Sequence, residues 1–352
     1  MRSIMAGMAA VIGGALLVAG CSSGGSSSSS ASSAAGTGSA SAAAAPVTLR
    51  LGYLANITHA PALIAVKNGY FTKEFGSAGT VKTTVFTSGT QETTAILAGQ
   101  IDAAYVGPNP AINAWKQSSG AAIKVISGVA TGGASIVVKP TITSAAQLKG
   151  QSLATPSLGN TQDVAARYWL KQNGLTTSTT GGGDVSIKPT SPNSAAVLEY
   201  KSGQIAGASE PSPYDVEIVQ DGGKVLLSEP GVSTVLMVTQ SFLNAHPAIV
   251  ADLLKANLDA LNFIKSNPAQ AQAAANDELA AYTGKPLSSK VIGPAFKEIT
   301  FTDDPDAASL TQDAQQAESV GLLKSVSLNG IFDLTPLNSI LTAAGDPTVS
   351  AG

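Results

Sequence analysis

Cysteine is almost missing from this 352-residue chain: Cys21 stands alone, so no disulfide can staple one part of it to another. Histidine is nearly as scarce. His59 and His246 are the only two, too few for the ligand sets of transition-metal sites, and neither a metal nor a cofactor is expected. Charged residues make up only 12% of the chain and the formal net charge is −3, with Lys and Arg scattered singly. A nucleic-acid partner demands a clustered basic patch, and there is none. The sequence also has no P-loop pattern, no Ser-His-Asp order and no metal-ligand spacing, so the expectation is a protein that is not an enzyme.

What the chain does have begins at Met1-Arg2, a short positive start followed by an uncharged run from Ser3 to Gly20. That is the pattern of a secretory signal peptide, and residues 1–20 are assigned to one. A spanning anchor is the competing reading, because a run of this length nearly crosses a bilayer. Its several glycines and its abrupt stop at Cys21 argue the other way. Val18-Ala19-Gly20-Cys21 resembles the bacterial lipobox, whose cysteine thiol takes a diacylglycerol before cleavage. A lipid-anchored protein on the extracytoplasmic face of the cell membrane is expected. Residues 21–46 follow as a tether of Ser, Gly, Ala and Thr up to Ala45, with too little apolar bulk to offset the entropy of ordering.

From Pro46 onward the chain is long enough for two lobes of about 150 residues each. Val47 to Tyr53 alternates as a strand. A helix over 60–68 follows, with Pro61 in its first turn and Gly69 just past its end. Val81–Phe86, Ile101–Val106 and Lys124–Gly128 read as further strands, with helices from Gln91 to Ala98 and from Gly107-Pro108 to about Gln117. This alternation predicts a parallel sheet covered on both faces. Ser135–Lys139 reads as an extended crossing segment, after which the rhythm restarts. Strands at Ser152–Ala154, Val185–Ile187 and Ile205–Ala208 enclose helices over 161–172 and 194–202. Asn160 is placed to cap the helix over 161–172, with Asp163 three residues on and Asn173-Gly174 at its close. Val232–Val238 is a second apolar crossing strand, and beyond Leu243 the pattern is helical, interrupted at Phe301. The fold class is therefore α/β: two doubly wound lobes joined by two crossing strands. Lobe 1 is expected to hold 47–137 and 231–352, and lobe 2 to hold 138–230.

Several segments carry a family likeness. Leu51-Gly52-Tyr53 with Asn56-Ile57-Thr58-His59-Ala60-Pro61-Ala62-Leu63, the stretch Ala98 to Pro110, Leu148-Lys149-Gly150, Ala154 to Asp163, and Phe301-Thr302-Asp303-Asp304-Pro305 resemble the nitrate/sulfonate/taurine solute-binding proteins of ABC transporters. The resemblance runs from about residue 47 to 344. It implies a type II periplasmic-binding-protein fold that passes a small-molecule ligand to an ABC permease and its ATPase. The family usually has a tryptophan and an acid-proline pair after the last strand of the second lobe. Ala208-Ser209-Glu210-Pro211 keeps the pair without the aromatic, so the resemblance does not fix the ligand.

In open α/β sheets ligands sit beyond the carboxyl ends of strands, where helix N-termini converge. The segments 55–59, 87–91, 107–111, 131–135, 157–162 and 209–211 meet that description, and none contains Lys or Arg. An anion there would be held by backbone N–H groups, hydroxyls and amides, aided by helix dipoles. The candidate ligand contacts are Asn56, Thr58, His59, Ser88, Gly89, Thr90, Pro108, Asn109, Gly133, Ser135, Asn160, Thr161, Gln162 and Glu210. Each has a plainer alternative. Ser88-Gly89-Thr90 is also a strand-to-helix turn, Asn109 and Asn160 are also helix caps, and His59 also fits as a packed residue of the first turn. Pro108 brings no N–H donor, and Gly133 serves equally well as backbone freedom before a hinge. Glu210 is either a solvated loop acid or a pocket wall that favours a cationic group. Aliphatic sulfonates lead as ligands, with nitrate, bicarbonate or a small heterocyclic precursor as alternatives. A sensor subunit would look the same in sequence. The enzymes sharing this fold, of pyrimidine-precursor and menaquinone type, form the remaining class; the former carry a cysteine cluster that this core lacks.

Overall fold

A computed structural model describes residues 45–352; the readings of 1–20 as a signal peptide, of Cys21 as the lipidated residue and of most of the tether lie outside them. Strand β1 (Val47–Leu54) sends Leu49, Leu51 and Tyr53 into one face of the first sheet, where all three are fully buried. It pairs in parallel with β2 (Gly79–Phe86) and β3 (Ala103–Val106). The sheet continues through β4 (Ile123–Gly132), and the second sheet starts at β5 (Ala134–Val138). That sheet holds β6 (Ser152–Thr155), β7 (Ser186–Pro189), β8 (Gly207–Pro211) and β9 (Lys224–Ser228). The chain then returns to the first sheet as β10 (Val232–Thr239) and, after a run of helices, adds β11 (Ile299–Phe301) at its edge. The strand orders are β11-β4-β10-β3-β1-β2 and β7-β6-β8-β5-β9.

Helices cover both faces of each sheet. One apolar cluster packs Leu49, Leu63 and Phe71 against Leu253 and Leu254 of the helix Pro247–Ser266, and a second lies on the opposite face around Ile112, Val125 and Met237. The second sheet is bracketed in the same way, by Leu153 with Leu170 on one side and Ala154 with Ile218 on the other.

The expectation of parallel sheets is corrected in part. β10 enters the first sheet from the second lobe, runs antiparallel to both β3 and β4, and occupies the middle. β5 likewise runs antiparallel to β8 and β9. Both segments expected to cross between lobes are therefore inner sheet strands, buried on both faces. The true crossings are shorter: Gly132-Gly133 and residues 229–231. They lie side by side, with the Gly132 N–H on the Gly231 carbonyl and the Glu229 N–H on the Ala134 carbonyl, both at 2.9 Å. Since β5 belongs to the second sheet, the passage out of lobe 1 falls at Gly133, ahead of the 137/138 boundary read from the sequence. Strand β9 and the short helices Tyr70–Phe75 and Tyr214–Gln220 were not expected at all.

Candidate ligand site between the lobes

Where the lobes meet, a cavity of about 20 Å³ is walled by residues from both. Lobe 1 contributes Asn56, Thr58, His59, Ser88, Gly89 and Ser233; lobe 2 contributes Asn160, Thr161, Gln162 and Asn193. All but Ser233, which lies in β10, arrive at the start of a helix. Asn56, Thr58 and His59 form the short turn that leads into the helix Ala60–Lys67. Ser88 and Gly89 open Gly89–Leu97, Asn160 and Thr161 open Thr161–Gln172, and Asn193 opens Asn193–Lys201. The N-terminal ends of these helices therefore converge on one spot, and their partial positive charges add there.

Internal hydrogen bonds decide which atoms remain free. Thr58 Oγ1 donates to Asn56 Oδ1 (2.8 Å), which leaves the Asn56 amide nitrogen as a donor. His59 Nδ1 accepts the Leu54 N–H (3.2 Å), so the ring proton sits on Nε2; burial drives the imidazole pKa down to about 3 and keeps it neutral. Asn160 caps its helix through the Asp163 N–H (2.9 Å) and donates to Gln162 Oε1 (2.9 Å), again leaving an amide nitrogen free on Gln162. The Thr161 hydroxyl is buried and has no hydrogen-bond partner. No Lys, Arg, Asp or Glu lines this cavity among the described residues. It is a ring of neutral donors.

The loop before Thr161 is held from behind by a buried ion pair. Arg167 Nε donates to Asp163 Oδ2 (3.0 Å), and Asp163 also accepts from Thr155 Oγ1 (3.0 Å) and the Gly159 N–H (2.9 Å). Gly107 fixes how closely the lobes approach: a Cβ there would stand 2.6 Å from Thr161 Oγ1.

Other candidates lie elsewhere. Thr90 is exposed and bridges to Ser157 Oγ across the cleft (2.9 Å). Pro108 is the buried first residue of the helix Pro108–Gln117, and Asn109 Nδ2 turns to the Asp313 carbonyl (3.3 Å). Gly133 adopts φ +71°, and its Cα faces Ile299, so it serves the crossing and does not reach the cavity. Ser135 sits inside β5, opposite Glu210 in register. Glu210 needs the largest correction. It is neither a loop acid nor a rim residue: it lies in β8, fully buried, and both carboxyl oxygens lack partners. Burial, helped by Asp215 and Glu229, pushes its pKa well above the carboxylate range, and it does not line the cavity. Asn193 and Ser233 were missed. Asn193 follows β7 as the other contacts follow their strands, a signal that was available; Ser233 sits in a buried, mostly apolar strand and gave none.

A model described as the NMT1-like family matches residues 42–277. A taurine-binding periplasmic protein of Escherichia coli (strain K12) is 27% identical over 218 residues, 59% of this chain and 64% of that protein; the match thus spans somewhat less than two thirds of the relative. The alkanesulfonate-binding protein SsuA of Xanthomonas axonopodis pv. citri, solved with MOPS, superposes with a TM-score of 0.66 at 19% identity, covering 80% of this chain and 96% of that one. The periplasmic nitrate-binding protein NrtA of Synechocystis PCC 6803 gives a TM-score of 0.74 at 16% identity, covering 86% and 90%. These structures share the two-lobe periplasmic-binding-protein fold seen here. The family match runs through both lobes and on past the return strand β10, and the chain belongs to the NMT1-like family.

Proposed function

We propose that this protein is the extracytoplasmic solute-binding component of an ABC importer and that its solute is an aliphatic sulfonate. The observation that carries the reading is the ring of neutral donors at converging helix N-termini, joined to a larger, partly apolar chamber. That chamber, of about 700 Å³, shares Leu54, Asn56 and Asn193 with the cavity and is lined further by Val85, Phe86, Leu198, Tyr214 and Tyr282. The donors suit a tetrahedral oxyanion and the chamber suits the carbon chain behind it, whereas nitrate or bicarbonate would leave the chamber unused. The taurine-binding relative and the alkanesulfonate-binding neighbour agree with this chemistry. The 20 Å³ between the lobes is about the room of one water, so a ligand enters only when the lobes part and is gripped when they close.

This reading assigns the site binding without catalysis. Among the described residues His59 has its Nδ1 held by the Leu54 N–H, and no acid is hydrogen-bonded to its ring. The partners of this reading are a permease and its ATPase, with Cys21 carrying the lipid that keeps the protein at the membrane. No helix among the described residues is long and apolar enough to span one. A thermal-shift panel on the full chain tests the ligand class. Ethanesulfonate and butanesulfonate should raise the melting temperature, butanesulfonate at lower concentration; at 100 times its dissociation constant a ligand adds about 2.7 kcal/mol. A response to nitrate, bicarbonate or a heterocycle with none to the sulfonates would refute it.

A further inference from the structure

A second pocket, of about 550 Å³, opens from the same cleft and shares only Thr161, Gln162 and Ser233 with the central cavity. Its walls come from both lobes: the helix Thr161–Gln172 and β9 on one side, β10 and the helix Ala307–Ser319 on the other. Tyr168 and Trp169 give it an aromatic side. Three carboxyl groups that the oxyanion reading does not use also line it: Asp306, which caps its helix through the Ser309 N–H, and Glu229 and Asp313. Glu229 accepts from Ser209 Oγ (2.8 Å). Asp313 Oδ2 is buried and accepts no hydrogen bond. Among the described residues no Lys or Arg forms an ion pair with either acid. Burial raises the Glu229 pKa to about 7 and that of Asp313 well above its ordinary value, the latter further by its proximity to Glu229 and Asp306.

Burial without a counter-charge favours the protonated form of both acids; a cation between them favours the carboxylate form, the proton passing to solvent, and pairs with it. A bare metal ion does not fit: no three His, Cys, Asp or Glu side chains among the described residues converge closely enough to hold one. We infer that this pocket binds an organic ammonium ion, its charged head on Asp313 and Glu229 and its carbon frame on Trp169 and Tyr168. The aromatic faces add a cation–π attraction to the ion pair. This site goes beyond the sulfonate reading and is occupied by a separate molecule. Since both lobes contribute walls, the amine binds the closed arrangement better than the open one and so favours sulfonate binding, and sulfonate favours the amine.

Calorimetry on the full chain at pH 7.5 tests this with 2-phenylethylammonium against its neutral counterpart 2-phenylethanol. The ammonium should bind the unmodified protein at least tenfold more tightly than the alcohol. Asp313→Asn should erase that preference while leaving alcohol binding in place, and Glu229→Gln should weaken it; melting curves confirm that both variants fold. Saturating butanesulfonate should raise the ammonium affinity, and an unchanged affinity would remove the coupling through closure. Equal affinity for the two probes, no binding of the ammonium, or a preference that survives Asp313→Asn overturns the inference. Displacement of the ammonium by butanesulfonate also overturns it and assigns the pocket to the sulfonate's own tail. The amine titrations stand without any sulfonate, so failure of the sulfonate reading shows up separately.

Discussion

His59 Nδ1 accepts the backbone N–H of Leu54 at 3.2 Å, which ties the imidazole to the end of β1 and leaves Nε2 as its only donor. Protonation would break that bond, and burial holds the pKa near 3 against an ordinary 6.5. Between those two values the unfolded chain binds a proton that the folded one refuses. Stability from this residue is therefore complete above about pH 6.5 and falls as the pH drops toward 3, by up to about 1.4 kcal/mol per pH unit. Urea unfolding of the native protein and His59→Gln across this range should show a difference that shrinks toward acid pH. A constant difference would mean that His59 is not held neutral.

Arg167 and Asp163 form a buried pair whose carboxylate also grips Thr155 and the Gly159 N–H. Arg167→Ala strands the acid and should cost about 3–5 kcal/mol by chemical denaturation. It should also weaken sulfonate binding, because Asp163 fixes the loop that presents Thr161. A loss under about 1 kcal/mol would place the loop's rigidity elsewhere.

Thr161→Val separates stability from binding. The hydroxyl has no partner in the protein, so a methyl in its place should leave the melting temperature unchanged or slightly higher. A hydrogen bond to a charged group contributes roughly 1.5–3 kcal/mol, so sulfonate affinity should fall about ten- to a hundredfold. Unchanged affinity would remove Thr161 from the site.

Gly107→Ala acts on closure. The added Cβ would stand 2.6 Å from Thr161 Oγ1, in the opposite lobe. The lobes should stop short of full contact, and small-angle scattering should show no compaction with butanesulfonate where the native protein compacts. Normal compaction would mean that the lobes meet differently.

Local chemistry made some of this legible in the sequence. The helix Thr161–Gln172 has the ends expected from Asn160, Asp163 and Asn173-Gly174, because capping is written in neighbouring residues. Asn56, Thr58, His59, Ser88, Gly89, Asn160, Thr161 and Gln162 come together because each ends a strand or begins a helix, a position that spacing alone reveals. Strand direction was not legible. β10 is apolar on both faces, and a run buried on both sides carries no mark of whether it lies parallel or antiparallel to its neighbours. Glu210 misled for a related reason. Its place after a strand suggested a rim, but β8 extends to Pro211 and draws the acid inside, close to Asp215 and Glu229, a grouping that only the folded chain creates.

The most direct test of the account is a calorimetric titration of the full chain with butanesulfonate, beside nitrate and pentanoate, the carboxylate of the same four-carbon tail. The account requires one butanesulfonate per chain, a negative heat-capacity change from tail burial, and clearly weaker binding of nitrate, which has no tail to place in the chamber. Tighter binding of nitrate than of butanesulfonate, or no butanesulfonate binding at all, would contradict it.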